Sequence, residues 1–135
     1  VLTERTEVKL DAGRADQRAP HRRGVLASAC EQSGRARLPE LLAPQSLGNF
    51  LAAETSTRRL VLDPGAQASL PALQVAPADS LCLLVGPEGG LSERDLAAAR
   101  AAGFEGLRLG PRILRTETAA LAAIAGLNAL YGDWR

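Results

Sequence analysis

The sequence contains no methionine, a single lysine (Lys9) and a single histidine (His21) in 135 residues. A complete gene product begins with methionine, so the expectation is a fragment, or a chain trimmed to its ordered part. The lone histidine stands among arginines near the start of a predicted helix. It reads as a surface residue, not as a general base or a metal ligand. Cys30 and Cys82 are far apart and lack metal-ligand spacing. Cys82 lies inside an apolar run and reads as a small core residue. Two free thiols fit a reducing compartment. No apolar run approaches the roughly 20 residues that cross a bilayer, and no signal peptide is visible at the present start. A cytoplasmic protein with no metal and no membrane is expected.

Net charge is only +1, from 16 basic and 15 acidic residues, which argues neither for nor against an RNA partner. With Lys9 the sole lysine, all the other basic residues are arginine. Arginine's planar fork suits phosphates and base edges, although the codon bias of a GC-rich genome explains the excess more simply. Apolar residues make up 46% of the chain, enough for a real core in one domain of ordinary size.

Strand-like and helix-like segments alternate. "TEVKL" (Thr6 to Leu10) reads as a short strand and "DAGRADQRAP" as a loop. A helix is predicted from about Pro20, at its first turn, to Gln32, with Gly34 just past its end. A short helix follows Ser46. "RRLVLDPG" is a strand ending in a turn. "DSLCLLVGP" has the continuous apolar run of a strand covered on both faces. Ser92 and Asp95 form a capping-box pair for the next helix, which Gly103 stops. "FEGLRLGP" is another strand. A last helix is predicted from a Thr116 cap, with Leu121, Ile124, Leu127 and Tyr131 on one side. Alternation of this kind predicts an α/β domain with a mainly parallel sheet.

Two strand ends echo each other. "LVGP" (Leu84 to Pro87) and "RLGP" (Arg108 to Pro111) each lead towards a helix. Two similar loops suggest two walls of one site, because ligands in open α/β sheets bind beyond the carboxyl ends of strands. The first loop is not a phosphate cradle. No lysine follows Gly89-Gly90, the G-x-G-x-x-G spacing is absent, and Glu88 would repel a polyphosphate. Glycines there let the backbone approach a flat base or ribose closely, and a ligand with a cationic or mixed-charge part fits better.

The second loop, "LGPRILRTETA", gathers Arg112, Arg115, Thr116, Glu117 and Thr118 at a helix start. Glu117 favours the helix dipole, whereas Arg115 opposes it. A cation there points to an anionic or carbonyl-bearing ligand. Together with the Gly-Pro loop, these convergent polar groups favour a site. A third cluster, "CEQSGRARLPE", puts Gln32, Arg35 and Arg37 at a helix C-terminus. The dipole alone accounts for positive charge there; contact of Gln32 and Arg35 with nucleic acid is the alternative.

"EQSGR", "LLVGPEGGLSERDL" and "LGPRILRTETAALAAI" resemble the RsmE family, which methylates N3 of a uridine in small-subunit ribosomal RNA and belongs to the knotted SPOUT methyltransferases. "TERTEVKL" also looks like that family's sequence. The resemblance runs from about Thr3 to the end. It implies a C-terminal trefoil knot, which general rules of chain topology would not suggest. It also implies an S-adenosylmethionine site of three loops: Leu62 and Pro64 from the first; Leu84, Gly86, Pro87, Gly89 and Gly90 from the second; Leu109, Gly110, Ile113 and Leu114 from the third.

The resemblance further implies a homodimer with the last helix at its interface, and ribosomal RNA or the small subunit as partner. The family's N-terminal barrel and first strand are then absent, and residues 1–135 form a truncated methyltransferase domain. Arg115 becomes the candidate for stabilising charge on the uracil carbonyls, with Glu88 or Glu117 accepting the N3 proton or holding Arg115. Gln32, Arg35 and Arg112 become RNA contacts. Two alternatives stay open: a related knotted enzyme acting on another RNA position, and a non-catalytic RNA- or nucleotide-binding module.

Overall fold

The computed structural model describes residues 1–6 and 12–134. Three strands form one parallel sheet: β1 (Arg58–Leu62), β2 (Leu81–Leu84) and β3 (Glu105–Leu107), in the order β2-β1-β3. The helices are α1 (Ala12–Gln32), α2 (Leu47–Ala53), α3 (Glu93–Ala101) and α4 (Thr116–Tyr131), with a 3₁₀ turn at Leu70–Ala72. The parallel α/β expectation therefore holds.

Successive residues of a strand point to opposite faces of the sheet, and β1 shows the consequence. Leu60 packs on one face with Leu73 and Leu107, joined by Leu127 and Tyr131 of α4. Val61 packs on the other face with Leu47 and Leu51 of α2 and Leu96 and Ala99 of α3. Leu60 and Val61 are 1% and 0% exposed, so the middle strand feeds two cores at once. In register, Leu60 lies beside Leu83 on β2 and Glu105 on β3.

Several local expectations also hold. Ser46 caps α2 by accepting from the Asn49 amide. The Ser92–Asp95 capping box is complete, with bonds of 3.0 and 3.1 Å. Gly103 ends α3 with a φ of +83°. His21 is exposed.

One lies outside the described residues and others are corrected. The proposed strand at Thr6 to Leu10 falls almost wholly outside the described residues. The "DAGRADQRAP" segment is not a loop: α1 begins at Ala12 and runs through Pro20. Proline lacks the N–H that would bond the carbonyl four residues back, but alanine, arginine and glutamine around it are strong helix formers. β2 is an edge strand; only Leu84 is fully buried, while Leu81 to Leu83 are half-buried.

The last helix is corrected too. Its N-cap is Arg115, which is extended and whose carbonyl accepts from the Ala119 amide at 2.7 Å. Thr116 is already helical. The core-facing stripe of α4 runs through Ala123, Leu127 and Tyr131 in steps of four. Ala123 is buried, and the Tyr131 hydroxyl donates to the Leu73 carbonyl at 2.7 Å. A stripe on those positions turns Leu121 and Ile124 outward, and they are 71% and 52% exposed.

Cys82, expected in the core, is half-buried against it. Burial, and the neighbouring Glu54 carboxylate, push the Cys82 thiol up from 9.0 to about 12. The unfolded chain therefore loses this proton first as pH rises. Its contribution to stability is whole below pH 9 and is lost as pH climbs towards 12. Urea denaturation across that window should show a steeper loss for the native sequence than for Cys82→Ala. Equal slopes would mean that the thiol is not held protonated.

Candidate functional site

A cavity of about 730 Å³ opens beyond the carboxyl ends of the three strands, the place where open α/β sheets present ligands. Its size falls within the range of small-molecule pockets, ~300–1,000 Å³. Three loops wall it. The first follows β1: Leu62, Asp63, Pro64 and Gly65. The second follows β2: Val85, Gly86, Pro87, Glu88, Gly90 and Leu91. The third follows β3 and includes Leu109, Gly110, Arg112, Ile113, Leu114 and Arg115. The two Gly-Pro strand ends thus face one space, because their strands flank β1 on either side.

The second loop turns sharply. The Gly90 amide donates to the Pro87 carbonyl at 2.8 Å, which places Glu88 at the exposed tip of the turn. Gly90 has a φ of +71°, a conformation that glycine adopts without steric cost. A Cβ at Gly86 would lie 3.0 Å from the Leu91 backbone nitrogen and 3.1 Å from its Cγ. The chain folds back on itself here, and the glycine is what permits it.

The third loop delivers arginines. Arg115 occupies the N-cap of α4 and makes no side-chain cap bond. Its cationic side chain cannot accept from the free helix amides. The ion pairs among the described residues join Arg58 to Glu105, Arg94 to Glu4 and Arg100 to Asp63. Arg108, Arg112 and Arg115, all on the cavity, take no part in them. Neither Glu88 nor Glu117 stands within ion-pair reach of Arg115. The cavity wall also carries four carboxylates, on Asp63, Glu88, Glu93 and Glu117. Such a surface suits a ligand that is partly cationic and partly hydrogen-bonding.

Of the residues assigned cofactor, catalytic or RNA roles from sequence, most stand on this cavity and four do not. Leu84 is 3% exposed and belongs to the core beneath. Gly89 lies outside the cavity lining, and its carbonyl accepts from Arg5 Nη1 at 3.0 Å. Gln32 and Arg35 are exposed at the end of α1 and do not line the cavity, whereas Arg112 does.

Sequence reasoning missed the Asp63–Arg100 pair and Arg5. The sequence places Asp63 in the turn after β1 and within the first expected cofactor loop, but not its charge partner, which lies on α3. Arg5 reaches the Gly89 loop from the other end of the chain, a contact no local spacing reveals. Among the described residues, no group of three or more His, Cys, Asp or Glu side chains could hold a metal ion. No helix among them is long and apolar enough to cross a membrane.

A parallel α/β sheet with a glycine-lined, mixed-charge cavity at its carboxyl edge defines a ligand-binding domain of the open-sheet class. The chain belongs to the RNA methyltransferase domain family, whose sequence model matches residues 1–128. Ribosomal RNA small subunit methyltransferase E of Mycobacterium bovis is 37% identical over 131 residues, covering 92% of this chain and 49% of that protein. The Synechocystis relative of the same name is 33% identical over 135 residues, covering 96% and 43%. A crystal structure of ribosomal RNA small subunit methyltransferase E from Neisseria gonorrhoeae, bound to S-adenosyl methionine, is similar with a TM-score of 0.90 and 37% identity. That match covers 99% of this chain and 54% of the other. The chain spans about half the length of the curated relatives it matches.

The crowding at Gly86 predicts a contrast. Gly86→Ala drives a methyl group into backbone and should destabilise the fold by about 1–3 kcal/mol. Gly48→Ala, inside α2 with nothing within 4 Å of the new Cβ, should stabilise by about 0.5–1 kcal/mol. Thermal denaturation of the two variants checks the opposite signs.

Proposed function

We propose that this chain is the cofactor-binding part of an S-adenosylmethionine-dependent enzyme that methylates N3 of a uridine in small-subunit ribosomal RNA. The carrying observation is the cavity where both Gly-Pro loops and Arg115 meet at the carboxyl ends of the sheet. The names of the relatives, and the S-adenosyl methionine bound in a structure of the same backbone shape, support it.

The cavity fits the cofactor on its own terms. It has the volume, apolar walls at Leu62, Leu109 and Leu114, and glycines that leave backbone groups open. Gly110, with a φ of +89° and no atom within 4 Å of a built Cβ, leaves room for a flat ring. Leu62, Pro64, Gly86, Pro87, Gly90, Leu109, Gly110, Ile113 and Leu114 would hold it, the three loops forming parts of a trefoil knot. S-adenosylmethionine supplies a methyl group activated on a sulfonium. The wall carboxylates of Glu88, Glu93 and Glu117 favour such a positive centre.

The chain's own part is positioning and charge stabilisation. Uracil N3 must give up its proton, and charge then spreads onto the flanking carbonyl oxygens. Arg115, unpaired at the cavity and backed by the free amides of a helix start, meets that charge. Glu88, at the exposed turn tip, or Glu117, in the first turn of α4, accepts the proton. Arg112 at the rim, with Gln32 at the end of α1 and Arg35 just beyond it, contacts the RNA backbone. The outward Leu121 and Ile124 of α4 meet the same helix of a second copy, making a homodimer.

Binding, turnover, methyl mapping and sedimentation check this. Calorimetry should find micromolar S-adenosylmethionine binding, kept within about twofold in Arg115→Ala, while methylation of small-subunit RNA falls about 10²–10³-fold. Unchanged turnover would remove Arg115 from the mechanism, and methyl groups mapped by mass at another base position would overturn the assigned target. Ile124→Asp should turn a dimer into a monomer in sedimentation velocity; a native chain that sediments as a monomer would remove the dimer.

A further inference from the structure

We infer that Asp63 and Arg100 form a positioning pair that holds the first wall of the cavity in its binding shape. The inference rests on the cavity being the S-adenosylmethionine site. Asp63 is 8% exposed, and the methyl transfer gives its charge no task. Both carboxylate oxygens are engaged. Oδ1 accepts the Gly65 amide at 2.8 Å, and Oδ2 accepts Arg100 Nη2 at 2.9 Å. Its backbone is equally committed: its amide donates to the Leu107 carbonyl at 3.0 Å, and its own carbonyl accepts the Ala66 amide at 3.0 Å.

One residue therefore ties three parts of the site together. The Gly65 bond closes the first loop, the Leu107 bond joins it to the strand that launches the third loop, and Arg100 anchors it to α3, which follows the second. There is little slack. A Cβ at Gly106 would lie 3.0 Å from the Ala66 Cβ and 3.7 Å from Asp63 Oδ2. Arg100 is outside the cavity and its side chain is 54% exposed. It acts on the ligand only through Asp63, and its replacement leaves the lining intact. Without it, a buried carboxylate keeps a single amide donor, an arrangement that favours reopening of the turn towards water.

The test uses Arg100→Ala, Arg100→Lys, Asp63→Asn and the double variant Asp63→Asn with Arg100→Ala. Calorimetry should show S-adenosylmethionine binding weakened about tenfold in Arg100→Ala and largely restored in Arg100→Lys. The double variant should bind no more weakly than Asp63→Asn alone, because the two residues act as one unit. Without ligand, hydrogen exchange at Gly65 and Ala66 should quicken in Arg100→Ala. Arg58→Ala, which breaks the ion pair to Glu105 at the far end of the strands, should lower the melting temperature and leave affinity unchanged. Affinity of Arg100→Ala within about twofold of the native chain, or losses that multiply in the double variant, would overturn the pair's role. A native chain that binds no S-adenosylmethionine would instead overturn the site itself, and this inference with it.

Discussion

Strand β1 hydrogen-bonds a parallel neighbour along each edge and buries a side chain in each of two cores. The rest of the molecule depends on that double commitment. With β2 and β3 both parallel to β1, all three strands end on the same side, and the loops that leave them must converge there. The cavity follows from strand direction before any loop residue is considered. What the loops add is chemistry: glycines that bring backbone close, apolar surfaces for a flat ring, and charges of both signs.

The placement of charge separates function from structure in this site. Glu93 and Asp95 sit in the first turn of α3, where a helix start favours anions and where a capping box uses one of them. Arg115 at the start of α4 does the reverse. Its side chain makes no cap bond, pairs with no carboxylate and stands at the cavity. A residue that works against its local structure is explained by what it faces. Asp63 is the complement: buried and fully bonded, it serves the geometry of the wall.

Much of this was legible in the sequence because the signals were local. The Ser92–Asp95 box, the stop at Gly103 and the Gly-Pro strand ends each rest on a few neighbouring residues. Most failures arose where distant packing decides. The miss in α1 was instead local: Pro20 suggested a start, but the helix formers before it carry the helix back to Ala12. On α4, the large side chains Leu121 and Ile124 suggested the core face, yet small Ala123 sets it and Gly126 packs against Leu70 of the 3₁₀ turn. Asp63–Arg100 and Arg5–Gly89 join residues 37 and 84 positions apart, and spacing rules are blind at that range.

The central claim is that one ligand site is built from the loops that leave three parallel strands. Backbone amide chemical shifts recorded during a titration with S-adenosylmethionine test it most directly. Shifts concentrated at residues 62–65, 85–91 and 108–117, with the end of α1 undisturbed, are the expected result. Shifts confined to one of these loops, or centred on another surface, would contradict it.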